Sequence, residues 1–347
     1  MNKCFNGLLS AYRSILLCLY AALFSLFLPG CSSLVYKTTG DVMVSYSEKK
    51  VIPYSLSMDD VEMICSLGQS FSPFIFSFET VTDSPTKLKI LMYMLSATCA
   101  EARAVEDELR YMRAIKAALA GEAQDARISQ KRYLALAARR QYLAYSKMVE
   151  AFGEPDQGCP KLSQDEELYW MMGLLSGVLA LSNDMAAENQ VGVPLSIGAR
   201  IAKGSECLSD SKWWGAPMAL RAAVWIYTPA LRPAGVDPQE MLARASQIGM
   251  DQRVRISQVI EAQVYYSRGD YKKVKQVIRK HAENKVSNGS NSTLKLIDEM
   301  ATVGLLAISD RLWTDSQGSR TPMGGFGTFW DDKKIESTSS VEIDDLL

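Results

Sequence analysis

Side chains that do acid–base or nucleophilic chemistry are sparse in this chain and poorly grouped. A single histidine stands among 347 residues. His281 falls on an expected exposed helix beside Arg279, Lys280 and Glu283, where an imidazole is ordinarily solvated. No serine sits in a tight Gly-rich elbow, and no Gly-rich loop follows a strand to cradle phosphate. Gly324-Gly325-Phe326-Gly327 has neither strand nor helix to aim it. The acid pairs Asp59/Asp60 and Asp165/Glu166 stand at expected helix starts, where the helix dipole accounts for them. The sequence therefore reads as a binding protein rather than an enzyme, with no cofactor or metal expected.

Thiols and rings are the more informative groups. Cys65, Cys99, Cys159 and Cys207 follow Cys31, and four cysteines allow three pairings. Cys159 precedes one predicted helix and Cys207 ends the next, so in an antiparallel pair they share an end. That favours Cys159–Cys207 with Cys65–Cys99. Buried free thiols are the alternative, because isolated cysteines pack like small apolar residues. The spacings fit no zinc pattern. Tyr169, Trp170, Trp213, Trp214, Trp225 and Tyr227 crowd the central third. Rings with few polar neighbours could line a pocket for a hydrophobic ligand, or they could fill the core between helix layers. Trp213-Trp214 is expected to be partly exposed, since neighbouring residues on a helix cannot both face inward.

The leader explains why thiols would be oxidised. Lys3 and Arg13 precede an uncharged run from Ser14 to Phe27, and Leu28-Pro29-Gly30-Cys31 closes it. A basic n-region, an apolar h-region and a small residue before the cut make a secretory signal. With Cys next, it resembles a bacterial lipoprotein signal, cut before Cys31 and acylated on that thiol. The alternative is an uncleaved anchor, since Leu8 to Leu28 is long enough to span a bilayer. Either way the body is expected outside the cytoplasm, tied to a membrane. Ser32 rather than Asp points to the periplasmic side of the outer membrane. The formal net charge of −1 gives no reason to expect nucleic acid.

The organisation predicted from these signals is residues 1–30 signal peptide, 31–56 tether, 57–313 helical domain and 314–347 disordered tail. Ser57 with Asp60 marks a helix start. Ser84-Pro85 opens a stronger helix, and residues 86–120 carry no Gly or Pro, so they form one long helix or two joined tightly. Residues 122–151 form another. Ser163 with Glu166 makes a capping box, and the helix beyond it is apolar nearly all round, with Gly173, Ser176, Gly177 and Ala180 as a stripe of small residues. Pro194 to Cys207, Ala216 to Tyr227, Asp237 to a stop at Gly249, 252–267, 271–285 and Leu294 to Trp313 complete the series. No useful β-alternation appears, so the fold expected is all-α.

A repeat signal sits within that series. Val264-Tyr265-Tyr266-Ser267-Arg268-Gly269-Asp270-Tyr271-Lys272-Lys273-Val274 looks like the middle of a tetratricopeptide repeat, with Gly269 turning and Asp270 capping. Leu168-Tyr169-Trp170, Asp184, Val193-Pro194-Leu195, Gly215-Ala216, Met241-Leu242-Ala243-Arg244-Ala245 and Leu305 to Trp313 occur around it in an order that resembles the T component of TRAP transporters. Members of that family are periplasmic lipoproteins of degenerate tetratricopeptide-like hairpins. The resemblance covers roughly residues 85–313. It implies antiparallel helical hairpins enclosing an apolar cleft for a hydrophobic or amphipathic small ligand. It also implies association with the substrate-binding subunit of a transporter, and a homo-oligomer. The alternative is an envelope scaffold lipoprotein that recognises proteins without a small ligand.

Overall fold

Helix follows helix in the computed structural model, which describes residues 34–82 and 85–332, and no strand forms among the described residues. The leader, Cys31 and Ser84 lie outside the described residues. The segment expected to be a tether lying against the body is helical from residue 34. Helix α1 runs over residues 34–56, with a widened π turn at Ser47–Val51 and a last stretch at Ile52–Leu56. Small residues let it lie close to the body. A Cβ on Gly40 would come within 2.2 Å of Thr82 Cγ2, and Ser47, Ile52 and Ser55 are buried. Pro53 explains the π turn. Its ring would crowd the carbonyl four residues back in a regular helix, and the wider turn falls there.

Helix α2 (Val61–Ser77) starts at Asp60, whose carboxylate accepts from the Met63 N–H at 2.8 Å. It crosses the next helix at Gly68, where a Cβ would meet the Ser96 nitrogen at 2.7 Å. Helix α3 (Thr86–Lys116) is one uninterrupted element. Its end lies at Ala117–Leu119, with Ala118 at φ +55°, rather than at Gly121. Helix α4 (Ala120–Phe152) then packs along α3 over much of its length.

Helix α5 (Gln164–Ala186) carries the Ser163/Glu166 capping box. The predicted small-residue stripe is where its neighbours press closest. A Cβ on Gly173 would stand 2.4 Å from Met148 Cβ of α4, and one on Gly177 would stand 2.7 Å from Ile201 Cδ1 and Tyr145 Cδ2. Then follow α6 (Ile197–Ser205), α7 (Ala216–Tyr227), α8 (Pro238–Gln252), α9 (Ile256–Ser267), α10 (Tyr271–Asn288) and α11 (Lys295–Gln317). Helix α8 does not stop at Gly249. It runs on until Arg253 adopts the left-handed conformation, and Gly249 instead lets the Trp214 and Val254 carbonyls approach.

The largest apolar core joins α1 through α7 with the start of α11, and a second lies among α9, α10 and α11. The latter corrects the reading of residues 314 onward as disordered, as far as Asp332; residues 333–347 lie outside the described residues. Helix α11 continues past Thr314, and the Gly-rich segment then folds back. Phe329 is buried beside Val274, Val277 and Ile278, with Lys275 and Arg279 over its ring. Lys275 also pairs with Asp331 at 2.7 Å, and Arg279 with Asp332. Composition points to disorder here, yet the rings of Phe326, Phe329 and Trp330 and two ion pairs hold the segment down.

Candidate functional site

The six rings singled out in the sequence do not share an opening. Trp170 is fully buried, and its indole donates to the Gly204 carbonyl at 3.0 Å. Tyr169 beside it is buried, and desolvation holds its hydroxyl well above the ordinary tyrosine range. Trp225 packs in a separate small cluster with Ala202 and Val224. Tyr227 is exposed, its hydroxyl 2.9 Å from that of Ser267. Trp213 and Trp214, expected to be partly exposed, are both buried. They sit in a turn before α7 rather than on a helix, and Trp214 at φ +55° breaks the helical alternation, letting both rings turn inward. Trp213 donates to Glu167 at 2.6 Å.

The cysteines lie in two pairs. Cys65 and Cys99 join α2 to α3, with Cα atoms 5.4 Å apart. Cys159 and Cys207 join the loop before α5 to the segment after α6, at 5.3 Å. Both spans are ordinary for a disulfide.

The space open to a ligand is lined by none of these rings. The last turn of α1 leaves an apolar crevice against α3, α5 and the start of α11, of about 370 Å³ counting the open space at its mouth. Leu91 and Met94 of α3, Leu168 and Met172 of α5, and Met300 of α11 wall it. Leu168 and Met172 lie one turn apart on α5, and neither Tyr169 nor Trp170 lines the crevice. Only about 20 Å³ of the crevice admits water. Methionine side chains are adaptable fillers, so an entering chain would displace them rather than find a standing hole.

Two polar networks were not legible beforehand. His281, expected on a solvated face, is fully buried. Val274, Val277, Ile278 and His281 recur at i, i+3, i+4 and i+7, the spacing of a buried helix face, and this was the signal available. Gln258 Oε1, 2.9 Å from Nδ1, can only accept, so Nδ1 carries the proton, and the Thr302 hydroxyl stands 3.1 Å from Nε2. Burial lowers the imidazole pKa to about 3, with the Arg255 and Lys285 charges adding to the effect against the opposing pull of Asp298. Nearby, Arg255 and Asp298 form a fully buried pair at 2.7 Å. The second network joins α3, α4 and α5. Glu101 accepts from Gln141 at 2.8 Å and from Asn183 at 2.7 Å. Desolvation raises the pKa of Glu101. Both networks are satisfied internally, which fits a role in fixing helix register.

Among the described residues no group of three His, Cys, Asp or Glu side chains could hold a metal ion, and no helix is long and apolar enough to cross a membrane. Known protein families, curated proteins and solved structures offer no match to the chain.

Proposed function

We propose that this protein is a lipid-anchored binding protein of the cell envelope. In this reading its helical body accepts the apolar part of a hydrophobic or amphipathic small molecule in the crevice beneath α1. The crevice carries the proposal: apolar walls and three methionines suit an acyl or aromatic chain. The helices would stack as antiparallel tetratricopeptide-like hairpins. Support comes from the turn between α9 and α10, where Gly269 has φ +73° and the Asp270 carboxylate accepts from the Lys273 N–H at 3.2 Å. The resemblance to TRAP T components makes a substrate-binding subunit the natural macromolecular partner. The chemistry is recognition without bond breaking, consistent with the only histidine being held neutral inside the body.

Two measurements test this. Cys31→Ser should leave the body folded and release it from membranes; a variant that still sediments with them refutes the anchor. Native mass spectrometry and titration with a fluorescent fatty acid test the crevice. Met172→Trp should weaken probe binding at least about tenfold, the effect of losing roughly 1.4 kcal/mol. No co-purifying apolar compound and no probe binding would leave the second reading, a scaffold that recognises proteins alone. The small water-accessible volume of the crevice favours that reading.

A further inference from the structure

The outer side of α1 exposes a stripe of large apolar side chains, flanked by Thr38, Thr39, Asp41 and lysines. Val35, Val42, Tyr46 and Tyr54 are 57–69% exposed, while Gly40, Ser47, Ile52 and Ser55 on the other side are buried against the body. Val35, Val42 and Tyr46 are spaced seven and four apart, one face of a helix. In a regular helix Tyr54 would fall about 80° away from Tyr46 at roughly 100° per residue. The π turn at Ser47–Val51 absorbs one extra residue, which brings Tyr54 back to within about 20° of the same stripe. The turn thus serves the outer face as well as making room for Pro53.

We propose that this stripe of α1 docks on the lipid surface, so that the protein is held by a helix face as well as by its acylated thiol. The inference rests on the anchored reading above. The chain itself names the occupant. Leu34, the first described residue, is three residues from Cys31, and three residues reach about 10 Å at most. An acyl chain on Cys31 therefore starts α1 at headgroup level. Lys49 and Lys50, both exposed, follow toward the far end of the helix, where cations meet anionic headgroups. Tyrosine is a residue of the membrane interface, its ring apolar and its hydroxyl wet. A helix of this kind lies in the interface without crossing the bilayer.

Hydroxyl-radical footprinting tests the docking, using the full lipidated protein purified and floated on vesicles of phosphatidylethanolamine with phosphatidylglycerol. Tyr227 and Tyr271, 54% and 47% exposed, are internal standards away from α1. Docking predicts that Tyr46 and Tyr54 oxidise at least roughly fivefold more slowly than these standards, the contrast expected of rings in the headgroup layer. The double variant Val42→Asp, Tyr46→Asp, on an exposed face, should still float while Tyr54 regains the reactivity of the standards. Equal reactivity of Tyr46, Tyr54 and the standards on floated protein overturns the docking alone. Protection seen only in native membranes, and absent on pure lipid, overturns it in favour of a protein partner. Failure to float refutes the anchor, and the docking with it.

Discussion

Because the chain has one histidine, the protonation of His281 can be followed without ambiguity, and its burial makes a sharp prediction. The imidazole pKa lies at about 3, against 6.5 for a free histidine. The folded state thus binds this proton less readily than the unfolded state. The stability it contributes is fully present above about pH 6.5 and is lost as pH falls toward 3. The gap between the two values corresponds to roughly 5 kcal/mol, of which about 3 kcal/mol is gone by about pH 4. With histidine-labelled protein, the single Cε1–H resonance should show no titration between about pH 8 and pH 5. Thermal melts should move down between about pH 6.5 and pH 4. His281→Gln removes the titrating group, so its melting temperature should fall less over that range, although it starts lower because the buried hydrogen bonds are imperfectly replaced. A resonance that titrates near 6.5, or a wild-type melting temperature as insensitive to acid as that of the variant, would refute the buried placement.

Other consequences follow from the same packing. Asp298→Asn leaves the Arg255 guanidinium buried without its counter-charge, which should cost about 3–5 kcal/mol and lower the melting temperature by roughly 4–7 °C in a chain of this length; calorimetry reads this directly. Removing the Cys159–Cys207 bridge, as Cys159→Ala with Cys207→Ala, opens a 48-residue span and should cost about 4 kcal/mol by the chain-entropy estimate, measurable by urea unfolding. Glu261 is the opposite case to His281. Burial raises its pKa above 4.5 despite the Ser246 hydrogen bond, so the stability it supports is present below 4.5 and lost as pH rises through its folded value. Glu261→Gln keeps an acceptor for Ser246 and should therefore gain on the parent as pH rises toward neutrality, in melts taken across that range.

Local signals in the chain were enough to place most helices. The Ser163/Glu166 box, the Asp237-Pro238 start and the Asp270 cap are decided by side chains within three residues of the backbone groups they satisfy. The stripe from Gly173 to Ala180 announced a close crossing because lost side-chain volume is visible in sequence, though the partners Met148, Tyr145 and Ile201 were not. Gly249 shows where such reasoning fails: glycine ends a helix or admits a neighbour, and only the arrival of the Trp214 and Val254 carbonyls decided which.

What the sequence determined by itself was an all-helical body with its helix starts, and an apolar run ending at Cys31. Tertiary structure decided what is covered. It buried His281 and both rings of Trp213-Trp214, folded the segment before Asp332 onto α10, and made the expected tether a helix with an exposed apolar stripe. The division has one physical cause. Hydrogen bonding and capping act over a few residues, whereas burial depends on which distant surfaces meet.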